Sequence, residues 1–192
     1  MHFEDEAAWE RWLAEHHEGD PVWLKIAKKG SGGTSVTVAQ ALRVALCYGW
    51  IDGQRRSHDE HSFLQRFSRR RKAGPWSQVN VALVESLTAE GRMRPPGLAE
   101  VAAAQADGRW AAAYAAQRDA VVPEDLAEAL AATPAAAARF EALGKTARYR
   151  LMLPLLQART PATRAARLDR AVAALLESGP TPPAGRRGTA SG

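Results

Sequence analysis

Between Trp50 and Ser68 the chain sets two alternating segments, roughly 50–57 and 62–68, around the polar tetrad His58-Asp59-Glu60-His61. This feature constrains the fold most. Side chains of a strand point alternately to opposite faces, so two such segments joined by a short polar turn read as an antiparallel hairpin. In the second segment the alternation separates Phe63, Gln65 and Phe67 from Leu64, Arg66 and Ser68. The phenylalanines are expected in the core, which leaves the basic side chains free to face outward. A third short strand is written at 22–26, with Val22, Leu24 and Ile26 on one side and Trp23 and Lys25 on the other.

The flanking segments have helical spacing. Phe3, Trp9, Trp12 and Leu13 share one face of a first helix, which Gly19-Asp20-Pro21 breaks. The glycine-rich KKGSGGTS lacks the spacing of a nucleotide-binding loop and reads as a connector. Thr37 and Gln40 have capping-box spacing ahead of Val38, Leu42, Ala45 and Leu46, in a helix ending near Gly49. Ser77 is placed to cap the next helix, with Trp76 and Val81 at the two positions of a hydrophobic staple. That helix stops at Gly91, and Pro95-Pro96 starts another that ends before Gly108. From about 121 the chain becomes alanine-rich, punctuated by Pro123, Thr133-Pro134, Gly144 and Thr160-Pro161, with Pro154 expected to kink or divide one helix. The expected fold is α+β: a small antiparallel sheet with helices over 1–120, a helical unit over 121–178 and a disordered tail over 179–192.

Charge is unevenly spread. The 192 residues carry 26 Lys+Arg and 21 Asp+Glu, a net +5. Residues 53–72 hold seven basic side chains against Asp59 and Glu60, an excess equal to that of the whole chain. A concentrated basic patch steers anionic partners. The four adjacent cations Arg69, Arg70, Arg71 and Lys72 repel one another, and an anion would relieve that repulsion. A solvated basic face, or one paired with acids such as Glu4, Asp5 and Glu6, is the plainer alternative.

The candidate ligand-binding residues are therefore Trp50, Asp52, Arg55, Arg56, Arg66, Arg69 and Arg70. The Asp52 carboxylate either supplies turn or bulge chemistry with Gly53 or orients Arg55, Arg56 and Arg66 toward an anion. His58, Asp59, Glu60 and His61 fit a turn better than a metal site, since zinc chemistry needs three well-placed ligands. No metal and no cofactor are expected. Cys47, on an apolar helix face, reads as a small buried hydrophobe, and no nucleophile elbow or dinucleotide fingerprint is present. Catalytic residues stay unassigned. The aromatic residues are assigned to the core, so nucleic acid is an alternative partner but not the favoured one. Arg164, Arg167 and Arg170 lie at three-residue intervals along the last helix, where they can pair with acids. The longest uncharged apolar run, VALCYGW, is too short to span a bilayer. The acidic start lacks a secretory pattern, and a single Cys47 fits a reducing compartment, so the expected location is the cytoplasm.

Several uncommon strings occur in order: ALCYGWIDGQRR, LQRF, WSQVN, EGRMRPPGL, DGRWAAAY and ARTPATRAARLDRAVAALL. On these the chain resembles the YdeI/OmpD-associated family, also described as bacteriocin-protection proteins, over roughly residues 3–177. Residues 121–177 resemble its helical module. The chain departs from the family pattern at Phe67-Ser68-Arg69 and at Gly74-Pro75-Trp76. The resemblance implies a role in protection against bacteriocins or cationic antimicrobial peptides and supplies no catalytic residue. The leading expectation is a non-enzymatic binding or stress-tolerance protein that meets an anionic ligand or an acidic macromolecular surface. The alternatives are an enzyme acting on a small anionic substrate in a cleft near Asp52 and a non-specific nucleic-acid binder.

Overall fold

The structure, a computed structural model, describes residues 1–177. The tail expected at 179–192 lies outside the described residues. Two compact units divide the chain, Met1–Tyr114 and Ala115–Gly192.

The first unit opens with α1 (Glu6–His16), capped by Asp5, whose side chain accepts from the Ala8 N–H. Next come β1 (Val22–Ala27) and α2 (Val38–Cys47), which Thr37 and Gln40 start with a complete capping box. β2 (Trp50–Ser57) and β3 (Ser62–Arg69) form the expected hairpin, followed by α3 (Gln78–Ala89), capped by Ser77, and α4 (Pro95–Ala106). The sheet is antiparallel throughout, in the order β1-β3-β2. Together with the helical second unit this makes the α+β architecture.

Register fixes which side chains share a face. Leu24, Gln65 and Arg55 stand in one row and Val22, Phe67 and Asp52 in another. This side carries the core: Leu24, Ile26 and Phe67 pack with Trp9, Leu13, Ala41, Val44 and Trp50, all buried. Each large apolar side chain so buried contributes about 1.5–3 kcal/mol. Trp9 is the hub, with Trp12 stacked at 5.4 Å and Trp50 edge-on at 6.3 Å.

Helix α4 approaches α2 closely at Gly97, where a Cβ would lie 2.2 Å from the Cys47 carbonyl oxygen. Only glycine permits that approach. The turn from α2 into β2 passes through Gly49 at φ +74°, the left-handed region that other residues avoid.

The second unit consists of α5 (Glu124–Ala132), α6 (Pro134–Ala142), α7 (Lys145–Leu156) and α8 (Pro161–Glu177). Leu126, Leu130, Phe140, Met152, Leu155 and Leu175 form its separate core. Arg164 on α8 grips Asp125 on α5 through Nε (2.6 Å) and Nη2 (2.8 Å). Arg167 and Arg170 donate instead to the carbonyls of Pro154 and Ala166, so among the described residues only Arg164 of the three makes the acidic pair expected of them. Pro154 does not divide its helix: α7 runs through it and ends two residues later. In the final turn a missing N–H removes only one bond. No helix among the described residues is long and apolar enough to cross a membrane.

Candidate functional site

The β2–β3 hairpin carries most of the candidate residues, and its turn is built from the HDEH tetrad. Asp59 Oδ1 accepts from the His61 N–H (2.9 Å) and from the Ser62 hydroxyl (2.7 Å). These bonds, the Ser62 hydroxyl foremost, hold the Asp59 carboxyl far below its ordinary pKa. The register slips between Asp52 and Arg55, a bulge whose carbonyls need donors. Buried Gln65 supplies them: its Nε2 donates to Gly53 O at 2.9 Å, and its Oε1 accepts from Arg55 Nε at 3.0 Å.

Because side chains alternate, the candidate arginines do not converge. Arg55 lies on the Gln65 side, its guanidinium 4.3 Å from the Phe63 ring. Arg56 lies on the opposite face, opposite Leu64, which is opposite Lys25. Its guanidinium reaches across to the Trp23 ring at 4.4 Å. Arg66, paired in register with Trp23, occupies the same face. Trp23 and Leu64 are half-buried yet belong to neither hydrophobic core. Lys25 is tied to Asp59 at 3.3 Å, whereas no carboxylate among the described residues pairs with Arg56 or Arg66 within 4.0 Å. This outer face thus holds Trp23, Lys25, Arg56, Leu64 and Arg66 together.

Two expectations are corrected. Trp50 does not sit on a ligand surface: its ring is wholly buried and its indole N–H donates to His17 O at 2.6 Å, locking the end of α1 to the start of β2. Arg70 does not face outward either. It is 8% exposed, with its guanidinium 3.5 Å from the Trp76 ring. Chain direction explains this, because the Arg70 N–H pairs with Gly49 O and carries the backbone inward past the end of β3. Burial pulls the Arg70 pKa down to about 10. Arg69 stays exposed, within 3.5 Å of Glu18 O. Asp52 makes no ion pair within 4.0 Å with Arg55, Arg56 or Arg66, and burial raises its pKa.

Cys47 is buried, and its thiol is pushed up to about 11 chiefly by that burial. A thiol so shielded is a poor nucleophile.

Sequence reasoning missed Trp23, Gln65 and Arg109. The alternation in β1 did place Trp23 and Lys25 away from Leu24; only the pairing with β3 and β2 shows that Arg56 and Arg66 lie beside them. Alternation put Gln65 on the face of Phe63 and Phe67 but could not show its partners, and Arg109 carried no signal, since a buried polar side chain is recognised by its partners. Arg109 is 3% exposed, and donates to Asp107 and to Gly74 O.

Comparison with known proteins bears on both units. Residues 1–100 match the family model described as a domain of unknown function (DUF8412). Residues 119–178 match the model described as bacteriocin-protection, YdeI or OmpD-associated. The resemblance placed over 3–177 is therefore found in the C-terminal segment, and a different family accounts for the sheet-bearing part. No curated protein and no solved structure matches the chain.

Proposed function

We propose that this chain, which belongs to the DUF8412 domain family and carries a bacteriocin-protection, YdeI- or OmpD-associated domain, is a non-enzymatic cytoplasmic protein that binds a polyanion. The outer sheet face is the binding surface. The observation that carries this reading is the Arg56 guanidinium lying over Trp23, beside Arg66, on a face that belongs to neither core. Cations without acidic partners attract phosphate or carboxylate groups along a chain, and a half-buried Trp23 ring adds a face on which a flat group can stack. Arg69 at the end of β3 and Arg71 and Lys72 beyond it, all exposed, extend the positive field.

A net +5 chain with this face repels cationic peptides at long range, which slows their direct capture. Any protective role therefore runs through an anionic partner. The test is retention of a single-stranded oligonucleotide and of polyglutamate by the purified protein. Arg56→Ala weakens both. Trp23→Ala weakens the oligonucleotide by about 1–3 kcal/mol of stacking and leaves polyglutamate unchanged if the partner is nucleic acid. Binding of neither polymer, or binding indifferent to Arg56, overturns the proposal.

A further inference from the structure

We propose that Arg70 and Trp76 form a second, separate site, a receptor for the oxyanion of a small ligand, seated on the Nε–Nη2 edge of the Arg70 guanidinium.

Three buried N–H donors on these two stacked side chains have no acceptor among the described residues: Arg70 Nε, Arg70 Nη2 and Trp76 Nε1. They account for three of the five such side-chain atoms among the described residues, and the guanidinium lies 3.5 Å from the same indole ring. Buried donors are nearly always satisfied, so a cluster of orphans marks the place of a missing partner. Only Arg70 Nη1 has an acceptor, Pro75 O at a long 3.5 Å. The bare edge has two parallel N–H groups spaced to fit the two oxygens of a carboxylate or phosphate. Arg164 shows that edge at work in this protein, since its Nε and Nη2 hold both oxygens of Asp125.

The surroundings favour an incoming anion. Arg70 is buried without an ion pair within 4.0 Å among the described residues, and an unpaired buried charge is costly. Asp52 and Glu100 act on it only at a distance; Arg109 and Tyr114 are its other charged or titratable neighbours. Trp76 immediately precedes Ser77, the cap of α3, so the positive end of that helix dipole lies beside the site. The edge is closed to solvent in this conformation. Entry therefore requires local movement of the chain around the edge; the neighbouring, largely exposed segment 71–75 is tied down by Arg109 Nη1 to Gly74 O at 3.1 Å. This inference does not depend on the outer sheet face.

The experiment titrates acetate and inorganic phosphate, separately and at constant ionic strength, into the full chain. Arg70 Nε–H and Trp76 Nε1–H are followed by nitrogen–proton correlation spectra, with Trp76→Phe to assign the indole peak. Saturable movement of both peaks is expected, and whichever ion acts at the lower concentration identifies the headgroup. Arg70→Lys keeps the charge but removes the fork, and weakens the response about tenfold or more. Arg56→Ala leaves it intact. Peaks that do not move, as when an internal water satisfies these donors, overturn the site. So does a thermal stabilisation by either ion that is the same in wild type and Arg70→Lys.

Discussion

Replacing Gly97 by alanine tests the packing that aims β2. The new methyl carbon would lie 2.2 Å from Cys47 O, 2.7 Å from Cys47 C and 2.8 Å from Leu46 O. All three are backbone atoms, so no rotamer change relieves the clash. Ordinary contact begins at 3.4 Å, which means α4 must withdraw by about 1.2 Å, the difference from 2.2 Å. That withdrawal also stretches the Arg94 N–H bond to Cys47 O, 3.1 Å in the native packing. Overpacking costs about 1–3 kcal/mol and a weakened hydrogen bond about 0.5–1.5 kcal/mol. Alanine returns roughly 0.5–1 kcal/mol through its lower unfolded-state entropy and better helix propensity. The net expectation is a loss of about 2 kcal/mol. Urea unfolding followed by tryptophan fluorescence reads it as a lower midpoint at unchanged slope. A variant as stable as the parent, or more stable, refutes the account of how α2 and α4 meet.

Other consequences are as specific. With its pKa near 11, Cys47 is about one part in a thousand thiolate at pH 8, against about one in ten for a thiol at 9.0, so disulfide-exchange labelling of the folded protein is at least about a hundredfold slower than in denaturant. Gln65→Leu strips Gly53 O of its donor and frees Arg55, costing about 1–3 kcal/mol in a thermal or urea melt. The Asp125 carboxyl is held below its free value of 3.8, first by its hydrogen bond from Arg164, so it contributes stability above about pH 4 that is lost as the pH falls through the folded value. Arg164 is 37% exposed, which limits the pair to about 0.5–1 kcal/mol; Asp125→Asn should show that loss at pH 7 and progressively less in acid.

Much of the fold was legible because it rests on local chemistry. The Thr37–Gln40 capping box, the Ser77 cap and the alternation of β1, β2 and β3 are each decided within a few residues. The candidate site was less legible because it depends on what faces what. A two-residue period puts Arg55 and Arg56 on opposite faces, but which of them shares the side of Asp52 is decided only by the bulge between Asp52 and Arg55. A run of four cations reads as exposed, yet Arg70 turns in because the chain must return past Gly49, and Trp76 offers it a ring. Trp50 looked like a recognition residue by its neighbours in sequence, while its neighbours in space are Trp9 and Trp12.

Binding at the outer sheet face is read most directly from the salt dependence of single-stranded oligonucleotide binding, followed by fluorescence anisotropy in wild type, Arg56→Ala, Arg66→Ala and the double variant. Each phosphate contact contributes about −0.7 to the slope of log K against log salt, so Arg56 and Arg66 together account for about −1.4, or roughly a sevenfold loss of affinity between 50 and 200 mM. If the outer sheet face holds phosphates, each single substitution makes the slope shallower by about 0.7 and the double variant loses both contributions. A slope that all four proteins share would contradict it.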